Sequence, residues 1–153
     1  MKTFFITSLC ILALNIAQSQ DQNPCDNNMI QKQVDSLKNI FLKNGFMIMQ
    51  EANVAMESDS ELPVIVPLKM GSNYQVVFIG DVHSQSYEVR MYDFNEKQVY
   101  HRKSNYSDHK DNIITYSYIP QMSEYHMIRP VQINNKQKKN LCGYFILLKK
   151  SWS

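Results

Sequence analysis

Two short clusters of acidic and histidine residues are the strongest candidates for chemistry in this sequence. In the first, at residues 107–111, Asp108 and Asp111 flank His109 between two predicted strands. Two carboxylates beside an imidazole can ligate a metal ion or act as an acid and base pair. A solvated loop accounts for the same residues, and we favour it because the spacing matches no ligand pattern.

The second cluster, at residues 80–83, follows a predicted strand that ends at Ile79. Asp81 and His83 are weak metal candidates here, and Asp81 can bind calcium in a loop at the rim of a β-domain. Aspartate is also common in turns, where its side chain accepts hydrogen bonds from the backbone. We therefore expect no cofactor, with calcium as the open possibility.

Motifs that identify common enzyme classes are missing from the chain. The sequence contains no GxSxG elbow, HExxH pair, GxGxxG turn, P-loop or EF-hand loop. A catalytic group assembled from distant strands would leave no such local motif. A small metal-dependent hydrolase using the loop His and Asp residues therefore stays an alternative to a noncatalytic module.

Four arginine and tyrosine residues form the predicted binding site. Arg90 and Tyr92 lie on one predicted strand, and Tyr100 and Arg102 lie on the next, on the side assigned to solvent. Tyrosine and arginine anchor many protein interfaces, and aromatic rings stack on sugars. We expect one exposed patch that binds a protein or a glycan, with ordinary cross-strand packing as the alternative.

The first residues have the pattern of a secretory signal peptide, predicted over residues 1–19. Lys2 precedes an apolar stretch that runs from Phe4 to Ala17, and small residues precede a cleavage point after Ser19. The stretch of about fourteen residues is shorter than the roughly twenty that cross a bilayer. We therefore expect an exported protein, periplasmic or secreted, without a stable membrane span.

Three cysteines occur in the chain, and Cys10 would leave with the signal peptide. The remaining pair, Cys25 and Cys142, predicts a disulfide bond in an oxidising compartment. Two free thiols in a metal or redox site are the alternative, but the sequence lacks a CxxC motif.

The composition fits one domain, and its net charge gives no argument for a polyanionic partner. Of 16 basic and 14 acidic residues, removing Lys2 leaves 15 and 14, a net charge near +1. We therefore expect no nucleic-acid partner. The exposed lysine tip at residues 136–139 fits an anionic polysaccharide or a lipid headgroup, or simply a hairpin that discourages edge aggregation.

Apolar periodicity predicts a mainly β protein with one N-terminal helix. Residues 29–44 carry a single apolar stripe, so residues 20–45 are read as a polar lead and an amphipathic helix. The rest, residues 46–153, predicts an antiparallel, jelly-roll-like β-sandwich. Its eight strands are predicted near 46–57, 63–69, 74–80, 87–93, 97–103, 112–119, 124–133 and 141–149. Alternation assigns Tyr87, Val89 and Met91 to the core, and the continuous apolar run at 141–148 predicts a central strand that the helix covers.

The segment from Leu68 to Val99 resembles small jelly-roll-like domains found beside secreted peptidases, the pre-peptidase C-terminal type. A glycine turn at residues 70–73 precedes a strand that starts at Tyr74, and a later strand ends in Asp93. The resemblance implies a noncatalytic accessory sandwich that binds ligands or assists export. We therefore predict an exported binding or interaction module, with a structural subunit of envelope assembly as a further alternative.

Overall fold

The computed structural model describes Cys25 and residues 28–109 and 111–151, so the predicted signal peptide lies outside the described residues. The elements are α1 (Asn28–Lys43), β1 (Phe46–Met56), β2 (Val64–Leu68), β3 (Tyr74–Ile79), β4 (Ser86–Tyr92), β5 (Gln98–Asn105), α2 (Tyr106–His109), β6 (Ile113–Tyr118), β7 (Glu124–Ile133) and β8 (Leu141–Lys150). The single turn α2 falls where a loop was expected.

The strands form two antiparallel sheets of four strands each. The first sheet has the order β1-β8-β3-β6, and the second has the order β2-β7-β4-β5. The prediction of a mainly β chain with eight strands in antiparallel sheets is confirmed.

The main core lies between the two sheets. Tyr87, Val89 and Met91 of β4 are completely buried there and pack with Phe78 of β3 and Phe145 of β8. The three β4 residues are those that alternation assigned to the core, so this prediction is confirmed.

A second apolar cluster lies on the other side of the first sheet, where α1 contacts β1, β3 and β8. Ile30 and Val34 of the helix are buried against Ile146 and Leu148. Because successive β8 residues alternate between the two clusters, β8 is buried on both faces. This double burial explains its continuous apolar sequence.

The predicted disulfide bond is present between Cys25 and Cys142, with a Cα–Cα distance of 5.2 Å. It joins the chain before α1 to the start of β8 across a sequence separation of 117 residues. Neither helix in the described part of the chain has the length and apolar character needed to span a bilayer.

We expect that replacing both bridging cysteines, Cys25→Ser with Cys142→Ser, lowers the free energy of unfolding by about 4 to 5 kcal/mol. Loss of the bridge releases a closed loop of more than a hundred residues in the unfolded chain. Urea unfolding of the double variant and of the reduced wild-type protein measures the effect. Equal unfolding midpoints for oxidised and reduced protein would contradict the expectation.

Candidate interaction surface

The four residues predicted as one binding patch do not share a face of the sheet. Met91 in β4 lies opposite Tyr100 in β5, and Val89 lies opposite Arg102. Opposite residues point to the same side, so Tyr100 and Arg102 lie on the inner side of β5, where Tyr100 is half-buried and Arg102 stays exposed at the edge of the sheet. The prediction of a single exposed patch is therefore wrong. The pairing of β5 with β4 is shifted by one residue from the pairing that the patch requires, and a shift of one residue moves the side chains of a strand to the other face.

Tyr100 and Arg102 instead connect the two sheets along their β5 and β6 edges. The ring of Tyr100 stacks on Tyr116 of β6 with centroids 3.7 Å apart, and the planes meet at 12°. The guanidinium of Arg102 donates a hydrogen bond to the carbonyl oxygen of Thr115 at 3.1 Å. Both residues thus help to close this side of the sandwich.

Arg90 lies on the outer face of the second sheet, directly opposite Arg129 of β7. The carboxylate of Glu61 holds both arginines, with Oε1 2.6 Å from Nη1 of Arg90 and Oε2 2.9 Å from Nη1 of Arg129. Glu88 accepts hydrogen bonds from Nε of Arg90 at 2.5 Å and pairs with Nε2 of His101 at 2.9 Å. The charges on this face therefore neutralise one another.

Tyr92 lies beside this ionic network on the outer face. The guanidinium of Arg129 sits 4.7 Å from the centre of the Tyr92 ring, which is a cation–π contact. Arg90 and Tyr92 therefore lie on the same face, where the network already engages both side chains.

The two predicted metal clusters do not converge on a site. Asp81 is buried, and its carboxylate accepts hydrogen bonds from the backbone N–H groups of His83 at 2.9 Å and Cys142 at 3.3 Å. Asp111 likewise accepts from the N–H of Ile113 at 3.0 Å. The side chains of Asp108 and His109 lie outside the described part. Within the described ranges, no three His, Cys, Asp or Glu residues form a group able to hold a metal ion.

The end of the sandwich that carries these residues has a cleft of about 480 Å³. His83 and Lys136, singled out separately in the sequence, both line it together with Tyr106 and Ser107. The cleft thus joins parts of the predicted metal cluster and of the predicted lysine tip.

Three loops meet at the opposite end, which we call the loop end. They are the connections β2–β3 (69–73), β4–β5 (93–97) and β6–β7 (119–123). The N–H of Gly71 donates to the carbonyl of Pro120 at 3.0 Å, and the N–H of Met70 donates to Oγ of Ser123 at 2.9 Å. The first and third loops are therefore hydrogen-bonded to each other.

The loop end exposes large apolar side chains. Phe94 is 70% exposed, Met70 61%, Tyr125 59%, Met122 54% and Ile119 50%. Of the twelve large hydrophobic residues exposed in the described part of the chain, all but Met29 and Tyr106 lie in the half toward this end. A concentration of exposed apolar side chains at one end of a domain is typical of interaction sites.

A cleft of about 520 Å³ opens at the loop end toward the outer face of the second sheet. Its lining residues are Pro67, Leu68, Lys69, Phe94, Ser123, Glu124 and Tyr125. The volume lies in the range of small-ligand sites, and two aromatic rings are available for contact. No local pattern in the sequence brings these residues together, although a phenylalanine within the polar stretch Asp93-Phe94-Asn95 is a usable signal of an exposed ring.

Comparison with protein-family profiles gives no match, and comparison with curated proteins gives none either. Three solved structures overlap in part with this fold. One, described as "CBM4 structure and function", has 12% identity and a TM-score of 0.43, and the match covers 70% of this chain and 79% of that one. A pilus protein of Bacillus endospore appendages has 5% identity, a TM-score of 0.42 and coverages of 71% and 89%. FlgD from Xanthomonas campestris, connected with hook capping, has 10% identity, a TM-score of 0.36 and coverages of 62% and 68%. Similarities this small carry no argument about function.

The Tyr100→Ala variant is expected to lower the free energy of unfolding by about 2 kcal/mol, because it removes a ring stacked between the sheets. Tyr92→Ala, on the outer face, is the matched control and should cost about 1 kcal/mol at most. Urea unfolding of both variants makes the comparison. Equal losses would contradict the inward placement of Tyr100.

The stability that the ionic network contributes depends on pH through the carboxyl group of Glu88. Burial alone would raise the pKa of its carboxyl, but hydrogen bonds and positive charge from Arg90 and His101 outweigh burial, and the pKa falls below its ordinary value of 4.5. A carboxyl group with a lowered pKa in the folded state stabilises that state above the unfolded-state pKa. This stabilisation is lost as the pH falls through the folded-state pKa.

We therefore expect Glu88→Gln to be less stable than wild type by about 1.5 kcal/mol near neutral pH, and the difference to shrink as the pH falls below about 4.5. Urea unfolding between about pH 7 and about pH 3 measures the difference. Glu57→Gln is the control, since Glu57 is exposed and its ion pair with Lys139 is 3.8 Å long. A difference that stays constant down to the lowest pH would argue against the network.

Proposed function

We propose that this protein is a noncatalytic binding module that acts through its loop end and the adjoining cleft. The concentration of exposed apolar side chains at one end carries this proposal. Phe94 and Tyr125 line the cleft, while Met70, Ile119 and Met122 lie on the two hydrogen-bonded loops at the same end. Folding leaves these side chains in water, so an interaction partner is the physical reason for keeping them apolar.

The partner is expected in the cell envelope or outside the cell, where a protein and a glycan are the classes that the sequence favours. The Cys25–Cys142 bridge supports export, because structural disulfides persist in oxidising compartments. The signal peptide predicted over residues 1–19 is the second support.

The strand order also supports the finer expectation of a jelly roll. Neighbouring pairs alternate between the sheets, with β1-β8 and β3-β6 in one and β2-β7 and β4-β5 in the other. Two interleaved Greek keys of eight strands produce this arrangement.

The hydrolase alternative requires a convergent set of titratable groups. The carboxylate of Asp81 is engaged by two backbone N–H groups, and Glu88 is held by Arg90 and His101. These contacts favour structural roles for the acidic residues and a noncatalytic module.

The proposal is tested by binding of the exported protein, with its disulfide intact, to a washed envelope fraction of its source. We expect Phe94→Ser with Tyr125→Ser to weaken binding at least about tenfold, since both rings contribute apolar area at the cleft. Met29→Ser with Tyr106→Ser is the matched control, because it removes the two exposed large apolar residues of the other half.

Binding that survives in the loop-end variant, or that falls equally in the control variant, would refute the proposed surface. Urea unfolding midpoints of both variants verify that they remain folded. Tyr92→Ala tests the outer face separately and should leave binding unchanged.

A further inference from the structure

We infer that the loop end docks onto the surface of a lipid bilayer that contains anionic lipids. The inference rests on the proposed function and names the partner of the same surface. It is drawn from the distribution of apolar side chains at this end and from lysines there that form no ion pair within the described part of the chain.

The apolar side chains are spread over the tips of three separate loops. Phe94 lies in a turn in which Oδ1 of Asp93 accepts hydrogen bonds from the N–H groups of Asn95 and Lys97, both at 2.9 Å. This turn holds a ring that is 70% exposed away from the core. A folded protein partner needs a matched cavity for each tip, whereas the interfacial layer of a bilayer accepts apolar side chains at any spacing.

The chemical types of these side chains fit acyl chains better than sugars. Sugar recognition uses flat aromatic platforms with polar groups around them. Met70, Ile119 and Met122 have no aromatic ring and are at least half exposed, so they provide no stacking surface. The transfer of such side chains from water to the acyl boundary of a bilayer lowers the free energy.

Lysines surround the apolar tips. The five at this end are Lys43, Lys69, Lys97, Lys149 and Lys150, against the three acidic residues Asp93, Glu96 and Glu124. None of these five lysines takes part in the ion pairs formed within the described part of the chain. Lysines near a membrane surface are attracted to anionic headgroups.

The arginines on the outer face of the second sheet, unlike the lysines of the loop end, are paired with carboxylates. On the outer face of the second sheet, Arg90 and Arg129 are both neutralised by carboxylates. Uncompensated positive charge therefore coincides with the apolar loop end. Apolar contact combined with anionic-lipid attraction is the pairing that holds peripheral proteins at membranes.

The test uses protein-free vesicles of phosphatidylcholine with phosphatidylglycerol, and vesicles of phosphatidylcholine alone, in a flotation assay. We expect the exported protein to float with the mixed vesicles. Phe94→Ser with Met122→Ser should weaken this binding at least about tenfold by removing apolar anchors. Lys69→Gln with Lys97→Gln should reduce binding to mixed vesicles toward the level seen with phosphatidylcholine alone.

Insertion of the loop tip into the bilayer is measured separately by tryptophan fluorescence. Phe94→Trp in a Trp152→Phe background places the sole tryptophan at the loop tip. Its fluorescence should shift to the blue and be quenched by lipids with brominated acyl chains. Binding without quenching would show that headgroups alone are contacted and would overturn apolar docking.

Three further results show whether the bilayer inference, the assignment to the loop end or the proposed function fails. Absence of vesicle binding, with envelope binding still dependent on Phe94 and Tyr125, overturns the bilayer inference and assigns the surface to a protein or glycan. Loss of vesicle binding in the Met29→Ser, Tyr106→Ser control overturns the assignment to the loop end. Failure to bind both vesicles and envelope overturns both proposals.

Discussion

The burial of β8 on both faces is the constraint on which the rest of this structure depends. Phe145 and Leu147 face the core between the sheets, while Ile146 and Leu148 face α1. A strand that is apolar on both sides needs two covering layers, so the first sheet requires the helix. The disulfide bond attaches the chain before the helix to this same strand at Cys142. Covering the first sheet leaves the outer face of the second sheet and the ends of the sandwich for contact with partners.

The two ends of the sandwich are built differently. At the disulfide end, the buried side chain of Gln132 accepts from the N–H of Asp81 at 2.8 Å and donates to the carbonyl of Cys142 at 3.2 Å. The hydroxyl of Tyr87 donates to the carbonyls of Asp81 and Ser84 in the same loop. Polar groups there are used to fix loops to the core. At the loop end, hydrogen bonds shape the turns while large apolar side chains remain exposed. The groups that fold these turns are therefore different from the groups that we propose bind a partner.

Sequence patterns predicted the elements well because those patterns reflect burial. The helix stripe, the alternation of Tyr87, Val89 and Met91 and the pair of cysteines after the predicted signal peptide are local or countable signals. The register of β5 against β4 cannot be read from such signals, because alternation within a strand does not reveal which residues of the neighbouring strand lie opposite. Here an irregularity between Met91 and Tyr92 shifts the pairing by one residue. For this reason Tyr100 and Arg102 were assigned to the wrong face.

The loop end was missed because its residues are far apart in the chain and each lies in a segment that reads as a turn. Met70, Phe94 and Met122 come together only through the antiparallel order of the strands. Exposed apolar residues normally threaten solubility. On the outer face of the second sheet, by contrast, Glu61 pairs with both Arg90 and Arg129, so the charges there are already compensated. The association that we propose is therefore confined to the loop end. An interaction surface can thus be specified as much by where charge is paired as by where apolar side chains are left exposed.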